Sequence, residues 1–181
     1  MTLQCNDIFR FNESSLYALI STYVPEHFKT LTFLADGRLI KEERDGKTYA
    51  NGVLHSFDDK PAETKHGAQW WYKNGKVHRD GDLPAIIWTD GTKEWCKNGR
   101  PHRNNDLPAL IQDDGTQVWC KKGLFHRNGD KPAIIYLSGT QIWFKNGKYH
   151  RDNDKPAIIQ ADGTKRWFKN GNIIPEPKMK L

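Results

Sequence analysis

From residue 71 onward, apolar and polar positions alternate in short runs that break at regular turn signals and then start again. "AIIWTDGTKEWCK" (85–97) sets two apolar or β-prone runs around Asp-Gly, and "EWCKNGRPH" (94–102) sets two around Asn-Gly. Glycine takes positive φ freely and asparagine does so more readily than most residues. Each pair therefore predicts a β-hairpin, with a type I′ turn at Asn-Gly. A third site recurs after "HR": Asp80-Gly81, Asn104-Asn105, Asn128-Gly129 and Asp152-Asn153. Only Gly or Asn stands second, which predicts a residue in the left-handed region and a sharp bend. We read this bend as a kink that does not reverse the chain, so each unit is one long, interrupted hairpin. Like units then stack by translation, with every Trp on the same face.

Written in lines of 24, the chain aligns Trp71, Trp95, Trp119, Trp143 and Trp167 in one column. His78, His102, His126 and His150 form a second column, and Asp82, Asp106, Asp130 and Asp154 a third. A degenerate copy lies upstream, where "NGVLHSFDDKPA" (51–62) matches "NGKVHRDGDLPA" (74–85) with Ser56 in place of the arginine. "LTFLADGRLIKEERDGKTYA" (31–50) keeps the hairpin rhythm without the motif. The expected fold is all-β, an elongated antiparallel meander or solenoid of 24-residue hairpin repeats over residues 28–174, clearest from 71. Some 12 strands at about 4.8 Å would give a sheet roughly 50–60 Å long. At the N-terminus, Leu16, Leu19, Ile20, Tyr23 and Val24 fall at helical spacing before Pro25, predicting a short capping helix within residues 1–27. A tail follows at 175–181, where prolines and lysines would blunt the last edge strand.

Composition agrees with a thin, repetitive protein. Hydrophobic residues are 36 % and mean hydropathy is −0.81, with much of the apolar bulk in seven Trp, eight Phe and six Tyr. Cys5, Cys96 and Cys120 form no CxxC pair. Two of them follow a repeat Trp at positions that are Tyr72, Phe144 and Phe168 elsewhere, so they read as packing residues and free thiols. No apolar run reaches a membrane-spanning length of about 18 residues, and the first residues lack the pattern of a signal peptide. An intracellular protein of the cytoplasm or nucleus is expected.

"WYKNGKVHRDGDLPAIIWTDGTKEW" (71–95) resembles a MORN repeat, whose units of about 23 residues run as Trp, Asn-Gly-Lys, His-Gly and an Asp-Gly turn. The "HRxxDxPA" form here departs from the common His-Gly and is similar to a variant found in proteins of large DNA viruses. The resemblance implies an elongated antiparallel sheet used as a scaffold for protein association. For the viral variant it implies a virion or host-interaction protein.

The candidate chemistry has to be weighed against this repetition. "HRD" at 78–80 matches a kinase catalytic loop, but that loop needs Asn five residues after the Asp, where this chain has Ala85. Histidines one repeat apart lie roughly 9–10 Å from each other, too far to share a zinc ion with bonds near 2 Å. Each ring is expected to pack on the neighbouring Trp and donate to a backbone carbonyl. Arg79…Asp82, Arg103…Asp106, Arg127…Asp130 and Arg151…Asp154 read as ion pairs within one loop, clamping the bend. A true active site occurs once and these groups occur in every unit, so no enzyme, cofactor or metal is expected.

Charge is distributed unevenly along the chain: residues 1–118 carry a net −2 and residues 119–181 a net +8. A candidate basic face therefore comprises Lys121, Lys122, Arg127, Lys145, Lys148, Arg151, Lys165, Arg166 and Lys169, interleaved with aromatics. It would suit nucleic acid or another polyanion. The expected function is a scaffold for protein–protein association. Polyanion binding by the basic half is the alternative, and edge strands offer a route to homo-oligomers.

Overall fold

A computed structural model describes residues 28–33 and 39–177. Among these residues every regular element is a β-strand, and every strand pairing is antiparallel. The helix expected within residues 1–27 lies outside them, as do the last four residues of the tail.

Two kinds of hairpin alternate along the chain. The first kind builds an eleven-stranded sheet. Its strands follow one another in chain order from Glu63–Lys65 and Ala68–Trp70 through pairs such as Ile86–Ile87 with Lys93–Glu94 to Asn172–Ile174. The second kind forms four separate two-stranded hairpins, for example Cys96–Lys97 with Arg100–Pro101. These will be called tip hairpins. A four-stranded sheet over residues 28–33 and 39–54 precedes the array.

The repeat Trp is where one kind of hairpin hands over to the other. Trp95 separates Lys93–Glu94 from Cys96–Lys97 in what is otherwise a continuous run. Its N–H donates to Ala109 O of the next unit (2.7 Å), and its own carbonyl accepts from His102 N–H (2.9 Å). Lys93–Glu94 pairs antiparallel with Leu110–Ile111, and Cys96–Lys97 pairs antiparallel with Arg100–Pro101. The chain therefore leaves the tip in the same direction in which it re-enters the sheet. The bend after His-Arg is a kink, and each repeat is a single long hairpin.

Turn chemistry is as the residue types require. Asn98 and Gly99 both have positive φ (53° and 78°), the requirement of a type I′ turn. Asn105 takes positive φ at the bend (58°), and Asp106 after it does so too (54°). This second left-handed residue was not anticipated, because Asp is costlier there than Gly or Asn.

The core is a set of columns. Trp71, Trp95, Trp119 and Trp143 are buried, and Trp167, in the last unit, is half-buried. The alanine of each "PA", at 62, 85, 109, 133 and 157, is fully buried. Its N–H and C=O both pair across the sheet, as Ala109 N–H does to Val118 O (2.8 Å). The largest cluster joins Val118, Trp119, Ala133, Ile134, Ile142 and Phe144 across two units.

Candidate functional site

Arg, His and Asp of the motif meet between repeats. Arg103 donates from Nε and Nη2 to the two carboxylate oxygens of Asp82 (both 2.8 Å), one unit back. Arg79 does the same to Asp59, Arg127 to Asp106 and Arg151 to Asp130. The pairs expected within one loop, Arg79…Asp82 and its copies, are therefore corrected to pairs across consecutive loops. Position 175, where the next arginine would fall, is Pro175, so Asp154 ends the series. Each guanidinium also lies over the Trp of its own repeat, with Arg127 3.7 Å from the Trp119 ring centroid, and Nη1 donates to the Pro carbonyl five residues on. Trp119 Nε1 donates to Asp106 O (2.9 Å), as Trp71, Trp95 and Trp167 do to the matching carbonyls. Trp143 Nε1 is buried without a protein partner, and Asp130 is the one motif Asp of the series without positive φ. Nothing in the local sequence explains that difference.

These pairs hold their carboxyls ionised. Hydrogen bonds from Arg127 and then Lys131 bring Asp106 down to about 2, and Arg151 with Lys155 does the same for Asp130. Arg79 and Arg103 lower Asp59 and Asp82.

The histidines complete the joint differently from expectation. Nδ1 of His78 accepts the backbone N–H of Asn98 in the next tip turn (3.2 Å), and His102, His126 and His150 accept from Lys122, Asn146 and Asn170. An accepting Nδ1 requires the neutral tautomer protonated at Nε2, and Nε2 faces a side-chain oxygen two residues on. That oxygen belongs to Asp80, Asn104, Asn128 or Asp152. The expected bond from the ring to a backbone carbonyl is thus replaced by one accepted from a backbone N–H and one shared with a side chain. Cys96 and Cys120 are free thiols, and burial pushes Cys120 up to about 11, away from thiolate reactivity.

The nine-residue basic face does not assemble as one surface. Lys121, Lys122, Lys145 and Lys148 sit on the tip hairpins, and Lys169 sits at the matching turn between the last two strands of the main sheet, which closes the row of tips as its fifth member; all five are exposed. Arg127 and Arg151 are committed to the joints, and Lys165 and Arg166 lie in the main sheet, paired with Ile159 and Ile158. The tips instead gain cations from the half of the chain with net negative charge: Lys73 and Lys76, then Lys97 and Arg100. Residues 72–77, 96–101, 120–125, 144–149 and 168–174 together hold nine Lys or Arg and no carboxylate. At the opposite end of the same strands, the turns at 88–92, 112–116, 136–140 and 160–164 hold four Asp and no cation. The signal for the tip column was in the sequence, as a Lys two residues after every repeat Trp.

Shallow grooves of about 240 and 190 Å³ lie between consecutive bends, one beside Trp143 and one beside Trp95. They are equivalent by the repeat, each lined by the His, Arg and Asp of the joints. No helix among the described residues is long and apolar enough to cross a membrane. Comparison of the chain with protein-family models, curated proteins and solved structures found no match.

Proposed function

We propose that the chain is a non-enzymatic, MORN-like repeat scaffold for protein association. The observation that carries this reading is the joint itself. The motif groups that would attract a catalytic interpretation are used to fasten one repeat to the next, and four successive Arg–Asp joints repeat the same forked contact. What remains free for contact is the outer surface of a narrow sheet, whose eleven strands at about 4.8 Å extend roughly 50 Å.

Contact points of the right chemistry stand on the sheet turns. Trp88 and Tyr136 are exposed there, where the alternate units carry Gln112 and Gln160, and Leu137 beside Tyr136 is exposed by 75 %. Exposed apolar side chains at turns on a stiff support are what a protein-binding scaffold needs. Proximity labelling in cells with the full chain, compared with Tyr136→Ser/Leu137→Ser, tests this. A reproducible partner that is lost in the double variant while the melting temperature holds is the expected result. An identical labelling profile for both proteins would reject the turns as the contact surface.

A further inference from the structure

The tip hairpins form one row. Gly99 N–H donates to Val77 O of the preceding tip (2.9 Å), and Gly75, Gly123, Gly147 and Gly171 make the same link from their own tips. Successive tips are two strands apart, so they repeat at about 9–10 Å and the row from Lys73 to Lys169 runs for about 40 Å. Nine cations along that length amount to one per 4–5 Å, by the same estimate. Lys73 and Lys145 bridge to Asp80 and Asp152, whose side chains are themselves more than half exposed. Lys97 and Lys121 have Asn104 and Asn128 at the matching positions, which removes the carboxylate from the two middle repeats.

Lys122 sharpens the case. It holds φ 53° at a turn position that is Asn in the other tip hairpins, so a long side chain stands where the backbone favours Asn. Strain of this kind at an exposed turn calls for a functional reason. A second cation at that tip is such a reason, because Leu124 occupies the place held by Lys76, Arg100 and Lys148 in neighbouring tips.

We propose that this tip row is a nucleic-acid-binding ridge, engaging the phosphate backbone without reading bases. A line of predominantly one sign with a short regular spacing, its carboxylates confined to Asp80 and Asp152, fits a linear polymer carrying a charge on every unit. An acidic protein surface seldom presents its charges in such a line. Phe125 and Tyr149 alternate with the cations along the tip strands and pack with Phe144 and Phe168 on the opposite face, so the contact assigned to the ridge is with phosphates alone. The ridge runs the whole array, so it differs from a site confined to the C-terminal basic half, and it stands independently of the protein-association reading.

The test uses the full chain and a labelled 20-nucleotide oligothymidylate, followed by fluorescence anisotropy between 50 and 300 mM NaCl. Counterion release predicts that each lost phosphate contact on a single strand flattens the salt slope by about 0.7 and weakens binding about 5-fold at 0.1 M salt. Lys97→Gln/Arg100→Gln lies in the half of net negative charge and should cost about 25-fold on the same basis. Lys165→Gln/Arg166→Gln removes the same charge from the basic half but off the ridge, and should stay within about 3-fold of the parent, less than one phosphate contact. Lys122→Asn guards against misfolding, since it should raise the melting temperature while weakening binding. Equal losses in the two double variants would overturn the ridge, as would absence of binding at 50 mM salt. Polyglutamate of equal charge competing as well as unlabelled oligothymidylate would overturn the assignment to nucleic acid.

Discussion

Asp106 shows how much one side chain does in this protein. Its carboxylate receives the fork of Arg127 and the ammonium of Lys131, while its backbone carbonyl receives Trp119 Nε1, all from a left-handed conformation. Its folded pKa, about 2, lies below that of an unfolded Asp, about 3.9. The associated stabilisation is therefore complete above pH 4 and is lost as pH falls toward 2. The carboxylate is more than a third exposed, so the ion pairing is worth no more than about 1 kcal/mol. Asp106→Asn/Asp130→Asn should melt lower than the parent at pH 7 and lose less between pH 4 and pH 2. Thermal melts across that range would show it, and parallel profiles would mean that the bridges add no pH-dependent stability.

At the scale of the element, the joint is a backbone device with side-chain fasteners. His102 Nδ1 satisfies Lys122 N–H, which the tip turn leaves without a partner inside its own hairpin. His102→Leu would hand that exposed donor to water and should cost about 0.5–1.5 kcal/mol in urea unfolding. His102→Asn should recover part of the loss, because its amide oxygen can accept the same N–H. The degenerate unit supports this order of importance. Ser56 replaces the arginine, yet His55 Nδ1 still accepts Asn74 N–H, and Ser56 Oγ accepts Tyr72 N–H. The hairpins and the kink were legible because Asn-Gly, Asp-Gly and the Gly/Asn bend act through local backbone preference. The joint was not. In a periodic chain Arg103 has one Asp three residues ahead and another 21 behind, and the sequence pattern gives both the same standing. The bend decides between them by carrying Asp106 over to the next unit's Arg127, and Asp130 reaches Arg151 in the same way without a left-handed φ of its own. Charge misled for a related reason. Totals taken along the chain hide a separation across it, where every repeat places cations at one turn and most place Asp at the other.

For the whole molecule, the question is how far one repeat depends on another. Each unit touches its neighbours through the same joint, the same Trp–Ala backbone bond and the same tip-to-tip bond, so stability should behave as a sum of units and interfaces. Position then matters as much as residue type. Trp119 lies in the cluster that spans two units, buried, with Arg127 over its ring and Asp106 O on its Nε1. Trp167 has the equivalent bond to Asp154 O, but it is half-buried and no arginine follows at 175. Trp119→Ala should cost about 3–5 kcal/mol, the usual range for a buried Trp, and Trp167→Ala clearly less. The central lesion should also divide the array. Hydrogen exchange would then show protection lost around 117–135 first, with flanking repeats still protected and a shallower urea transition than the parent. Loss of protection across all repeats together would show instead that the joints make the rod a single cooperative unit.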